Sequence, residues 1–146
     1  SNWQVPYHQE FTISVDKKVN MDGFGPYTKK HNQFAVQAPI EILENIYTIR
    51  IHLDDTNENN GSLKVIPKSH LKKIYKPENI NWNNEIEGNC ELPKGAIMLM
   101  KPLILQSSNK TTNNKNRRVI HIEFSNSELP KELNWAECLD LNLSDK

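Results

Sequence analysis

The stretch Tyr7-His8-Gln9-Glu10-Phe11-Thr12-Ile13-Ser14-Val15 decides how the chain is read. His8, Glu10, Thr12 and Ser14 are polar, whereas Phe11, Ile13 and Val15 are apolar. That alternation is the period-two signature of a strand with one dry face, and it predicts a single strand across the stretch. Side chains two apart on a strand point the same way, so an imidazole and a carboxylate project side by side. In a pocket open to small molecules, His-x-carboxylate supplies two of the three ligands of a facial triad, which holds Fe(II) on one side and leaves other positions open. The plainer alternative is a pair of solvated residues on an exposed strand face.

Working outward, 146 residues fit one domain, residues 1–146, long enough for a real core. Eighteen basic and eighteen acidic residues cancel, and no cationic stripe marks a nucleic-acid or anionic membrane surface. Neither partner is expected. The longest apolar run, from Gly95 to Leu105, is interrupted by Lys101 and Pro102 and could not span a bilayer. Ser1-Asn2-Trp3-Gln4-Val5-Pro6 lacks the charged and apolar regions of a secretion signal, so a cytoplasmic location is expected. Cys90 and Cys138 are far apart and without metal-type spacing, and are read as reduced thiols.

After the first strand, Asp16 to Pro39 holds Gly23, Gly25 and Pro26 with Phe24, Tyr27 and Phe34 among polar residues. It reads as a long lid loop whose aromatics either close over a ligand or pin the loop to a rim. Ile40 to Asn45 predicts one helical turn, and Ile46 to Asp54 a strand with Ile49, Ile51 and Leu53 on one face and Thr48, Arg50, His52 and Asp54 on the other. A strand carrying Arg and His in mid-run must face something polar, which makes Arg50 a candidate binding residue. Thr56 to Gly61 is a turn, with Asp54 and Asp55 as capping residues beside it, and Leu63 to Ile66 is a short strand stopped by Pro67. His70 reads as a structural residue at a strand exit. A short helix is expected near Pro77 to Asn84, and the apolar segment Ala96 to Gln106 predicts a central strand. In Arg117-Arg118 and the strand Val119 to Phe124, alternation turns one of the two arginines inward, where its planar fork suits a carboxylate. The tail from Leu129, with Trp135, is expected to pack as a short helix.

The order of these pieces resembles the bacterial branch of the phytanoyl-CoA dioxygenase family. The resemblance runs from Asn2-Trp3 to Trp135 and is carried by Tyr7-His8-Gln9-Glu10, Gly23-Phe24-Gly25-Pro26, Ile49 to Asp55 with Asn59-Asn60-Gly61, Val65 to His70, and Arg117 to Glu123. It implies a mainly β, cupin-like double-stranded β-helix, or jelly roll, with a lid loop and few short helices. It also implies Fe(II) as metal, 2-oxoglutarate as co-substrate and hydroxylation of a small organic substrate. Residue by residue, it places the metal ligands at His8, Glu10 and Gln106, and co-substrate contacts at Arg117 and Ser108, with Arg50 as a further candidate. No catalytic residue beyond the metal site is implied.

Two ligand positions depart from the family pattern. Glu10 stands where the family has Asp, and Gln106 where it has a distal His. A neutral amide oxygen is a much weaker Fe(II) donor than an imidazole nitrogen, so metal affinity is expected to fall. The alternative is a degenerate relative, a non-catalytic jelly-roll binding module. An unrelated jelly-roll binder of sugars or small molecules would keep His8 and Glu10 as hydrogen-bonding groups only. Relatives also carry an N-terminal portion ahead of the metal motif, so either the chain is a fragment or a partner covers an open sheet edge.

Overall fold

The structure is a computed structural model that describes residues 4–141. Asn2 and Trp3, where the family resemblance begins, lie outside the described residues. The strands are β1 (Val5–His8), β2 (Thr12–Val15), β3 (Tyr27–Lys30), β4 (Gln33–Gln37), β5 (Ile46–His52), β6 (Leu63–Val65), β7 (Gly88–Cys90), β8 (Ile97–Met100), β9 (Gln106–Ser108) and β10 (Val119–Ser125). One helical turn, α1 (Ile40–Leu43), and short 3-10 turns separate them. Among the described residues no helix is long and apolar enough to cross a membrane.

The chain divides into two compact units. One comprises Ser1–Glu10 and Ile40–Asn126, and holds a four-stranded sheet of order β1-β9-β6-β7 and a three-stranded sheet of order β10-β5-β8. Every pairing in both is antiparallel. Ile66, Tyr75 and Leu105 form a buried cluster, with Tyr7 and Ile80 against it. The other unit comprises Phe11–Pro39 and Ser127–Lys146, and holds the antiparallel sheet β2-β4-β3, in which Ile13, Val15 and Val36 are buried.

The opening stretch is therefore not one strand. β1 ends at His8 and β2 begins at Thr12, in different sheets. Gln9 accounts for the break. Its buried amide donates to the Lys73 and Leu103 carbonyls at 2.7 Å each and accepts from the Tyr75 N–H at 2.9 Å, while the Glu10 N–H donates to the Pro102 carbonyl. These bonds draw the backbone out of the ladder.

Three further expectations are corrected. Asp16 to Pro39 is irregular only as far as Pro26; Tyr27–Lys30 and Gln33–Gln37 then form a hairpin added to β2. Its two-residue turn places His31 and Asn32 at positive φ, the geometry that matches strand twist, without the usual Asn-Gly signal. The apolar segment 96–106 is not one central strand. It breaks between Met100 and Gln106 around Pro102, leaving β8 at a sheet edge and β9 in the other sheet. The tail from Leu129 forms no helix among the described residues; Trp135 bridges Val15, and the Asn134 N–H donates to the Asp16 carboxylate at 3.2 Å. The turn ahead of β6 is as expected, with Gly61 at φ +81°.

In the β10-β5-β8 sheet the usual order of faces is inverted. Residues directly opposite in the register share a face, so Thr48, Arg50, His52, Met98, His121 and Glu123 lie on one side. Thr48 and His52 on that side are buried, whereas Ile97 and Leu99 on the other are 64% and 62% exposed. On β5 the polar face is the more buried one, while His121 and Glu123 of β10 on the same side are exposed; this is the face that carries Arg50.

Candidate metal and anion site

His8, the last residue of β1, stands directly across from Gln106, the first of β9. The pairing of β1 with β9 carries a register irregularity, and the turn anchored by Gln9 brings Glu10 back toward the imidazole. His8 Nε2 lies 3.0 Å from Glu10 Oε1, and His8 Nδ1 lies 2.9 Å from the Pro6 carbonyl oxygen. The backbone carbonyl accepts from Nδ1, which orients the ring and directs Nε2 at the carboxylate. This is the arrangement by which metal-binding histidines are held.

The pair is electrostatically coupled. The hydrogen bond to Glu10 raises the His8 pKa above its ordinary value, against the opposing effect of burial. The same bond holds the Glu10 carboxyl below the usual range, against burial, with smaller pulls from the charges of His8 and His121. Where the imidazole is protonated the two form an ion pair, and a divalent cation would replace the proton at Nε2. The donor set fits such a cation: one imidazole, one carboxylate, and the amide of buried Gln106 across the ladder. Among the described residues no group of three or more His, Cys, Asp or Glu side chains gathers to hold a metal ion.

Ser108 is buried two positions beyond Gln106 and on the same face, in one row with Leu63 and Cys90. The two arginines ahead of β10 have separate fates. Arg118 is exposed and forms a bidentate pair with Asp54, Nε to Oδ2 at 3.0 Å and Nη2 to Oδ1 at 2.9 Å. That pair and the Arg118 N–H, 2.8 Å from Oδ2, hold the Asp54 carboxyl at about 2. The Asp55 side chain caps a different turn from the one beside it, accepting from the Lys94 N–H at 2.8 Å, 39 residues on. Arg117 is also exposed as a residue, but by alternation it lies on the face that carries His121 and Glu123. It lies beside Gly61, where an added Cβ would come within 3.8 Å of its Nε, and burial pushes its guanidinium below the ordinary value.

Arg50 lies in mid-β5, opposite both His121 and Met98. Its Nε is buried without a hydrogen-bond partner, and its pKa is lowered first by burial and then by the charge of Arg117. Two residues of the same face were not singled out from the sequence. His52 is buried, with Nδ1 at 2.9 Å from Thr56 Oγ1, and burial holds its pKa down. His121 is close enough to Glu10 to lower its pKa and lies 3.3 Å from Glu123. Both share strand parity with Arg50 or Arg117, the signal that could have found them.

The family model described as Phytanoyl-CoA dioxygenase (PhyH) matches residues 6–119. No curated protein matches the chain significantly. Among solved structures, AviO1 from Streptomyces viridochromogenes Tue57 is similar over 87% of this chain and 45% of its own, with TM-score 0.53 and 20% identity. The non-heme alpha ketoglutarate dependent carbocyclase SnoK from nogalamycin biosynthesis is similar over 81% of this chain and 41% of its own, with TM-score 0.52 and 12% identity. The chain spans less than half the length of either. At these identities the likeness is one of fold, and the fold is the mainly β jelly roll of cupin-like oxygenases.

Proposed function

The chain belongs to the phytanoyl-CoA dioxygenase family, and from that premise we propose that it is a single jelly-roll domain of a cytoplasmic Fe(II)- and 2-oxoglutarate-dependent oxygenase that hydroxylates a small organic substrate. The observation that carries this reading is the convergence of His8 Nε2 and Glu10 Oε1, 3.0 Å apart, at the end of β1 that faces Gln106. His8 and Glu10 would hold the metal, with Gln106 as a third, weaker donor. When bound, Fe(II) would let dioxygen serve as the oxidant for hydroxylation, with 2-oxoglutarate oxidised to succinate and carbon dioxide as the co-substrate. The residues themselves bind and orient. Glu10 fixes the imidazole, the Pro6 carbonyl sets its tautomer, Arg117 neutralises the far carboxylate of the co-substrate, Ser108 donates a hydroxyl to it, and Arg50 adds a second guanidinium.

Succinate formed from 2-oxoglutarate in the presence of Fe(II) and dioxygen tests the reading. Activity that falls at least about a hundredfold in Arg117→Gln is expected; absence of succinate under all conditions would contradict it. A second reading, a non-catalytic binding module, is favoured by one observation, the neutral Gln106 at the distal ligand position. It predicts ligand binding with no succinate.

A further inference from the structure

We propose that strand β8 is the docking edge for a second copy of this chain, the two copies joining β8 to β8 in antiparallel and merging their β10-β5-β8 sheets into one continuous sheet.

β8 ends its sheet, paired with β5 on one side and with no other strand among the described residues. The His52 N–H donates to the Ala96 carbonyl at 3.0 Å. Hydrogen-bonded and non-hydrogen-bonded pairs alternate along an antiparallel ladder, so Met98 and Met100 are the members of β8 whose backbone groups turn to β5. The N–H and C=O groups of Ile97 and Leu99 therefore point off the free edge, and the two residues are 64% and 62% exposed. A strand that offers both its backbone groups and its apolar side chains to water is a template for another strand.

β8 also lacks the devices that blunt such an edge. Ile97-Met98-Leu99-Met100 holds no charge, proline or glycine. The other edges are guarded: β3 carries Lys29 and Lys30, β1 carries Pro6, β10 carries His121 and Glu123, β7 is three residues long, and Trp135 bridges Val15 of β2. Lys101, the next residue on the exposed side of β8, is drawn aside, with Nζ 3.8 Å from the Tyr47 ring centroid and bonded to the Glu44 carbonyl.

With no charge to repel its own image, β8 is complementary to itself, as a two-fold interface requires. Its parity fixes the register. Residues with outward backbone groups must face each other, so Ile97 stands opposite Leu99 of the other copy and Met98 opposite Met98 on the two-fold axis. A shift to the next register of the same parity would bring in Gly95 or Lys101, which lie beyond the strand. Such a seam is short, well under the roughly 800 Å² per partner of a stable complex, so the dimer is weak and concentration-dependent.

Sedimentation velocity of the intact chain over roughly 10 µM to 1 mM, with hydrogen exchange at both ends of that range, tests the inference. A reversible dimer is expected, with the Ile97 and Leu99 amides gaining protection as it forms. Leu99→Pro removes an N–H that faces away from β5, and is expected to weaken association at least about tenfold while circular dichroism stays that of the wild type. A covalent trap decides the matter should Leu99→Pro fail to fold. With the exposed thiol removed by Cys138→Ser, Met98→Cys is expected to form an intermolecular disulfide under mild oxidation, because it faces itself in a close, non-hydrogen-bonded pair. Leu99→Cys is not expected to, because it faces Ile97. A monomer throughout, a dimer undiminished in folded Leu99→Pro, or trapping at position 98 no greater than at 99 would each overturn the inference. Ile97 and Leu99 amides protected in a monomer would assign the edge to another segment and overturn it as well.

Discussion

At His8 the bonds to Glu10 and to the Pro6 carbonyl both favour the charged ring while burial opposes it, and the outcome makes a titration prediction. A folded pKa raised by Glu10 means that the pair stabilises fully below the unfolded imidazole value and is lost as pH rises through the raised one. The depressed Glu10 value means that its share is present above the ordinary carboxylate range and is lost as pH falls through the lowered one. The ion pair is complete between those two values. NMR titration is expected to find His8 above the ordinary imidazole range and to find it lower in Glu10→Gln; an unchanged midpoint would remove the pair. Metal affinity is expected to rise with pH through the His8 transition, because the cation displaces the Nε2 proton. A second titration separates the arginines. Arg118→Met is expected to bring Asp54 up from about 2 toward the ordinary range, and Arg117→Met to leave it there. Alternation told that the two arginines point to opposite faces. Which one meets an acid was not readable from spacing, because the choice is fixed by Asp54, a residue distant in sequence.

At the scale of elements, the positions that hold the site are a buried amide and a glycine. Gln9 makes three bonds to backbone groups of other segments. Gln9→Leu leaves the Tyr75 N–H and two carbonyls unpaired, and is expected to cost about 2–4 kcal/mol in urea unfolding. Gly61, at φ +81°, has the Asn109 carbonyl oxygen 3.1 Å from where a Cβ would sit. Gly61→Ala is expected to destabilise by about 1–2 kcal/mol and to disturb the Arg117 side of the pocket. The alternating residues after Phe11 do form a strand, as their pattern indicates, but nothing local announces that the chain leaves the ladder at Gln9. The partners of that amide come from Lys73, Tyr75 and Leu103, and only tertiary structure supplies them. The hairpin at His31-Asn32 was illegible for another reason. Its turn uses residues that tolerate positive φ without the glycine that normally marks one.

For the molecule as a whole, the order of motifs carried the family and the fold. The inversion of faces in the β10-β5-β8 sheet was half visible. Arg50 and His52 demanded a polar surrounding, yet period two alone does not say which face is inside. The exposed apolar face, on a chain of zero net charge, favours self-association. Leu99→Lys on the edge strand β8 is expected to reduce association in sedimentation experiments with little change in unfolding midpoint; a large loss of stability would mean that Leu99 packs inward. The central claim is that His8, Glu10 and Gln106 meet at one metal position. Anaerobic calorimetry of Fe(II) binding to the wild-type chain and to Gln106→His tests it most directly. Weak binding that tightens in the variant is the expected result, and an affinity unchanged by the substitution would contradict the claim by showing that residue 106 does not face the metal.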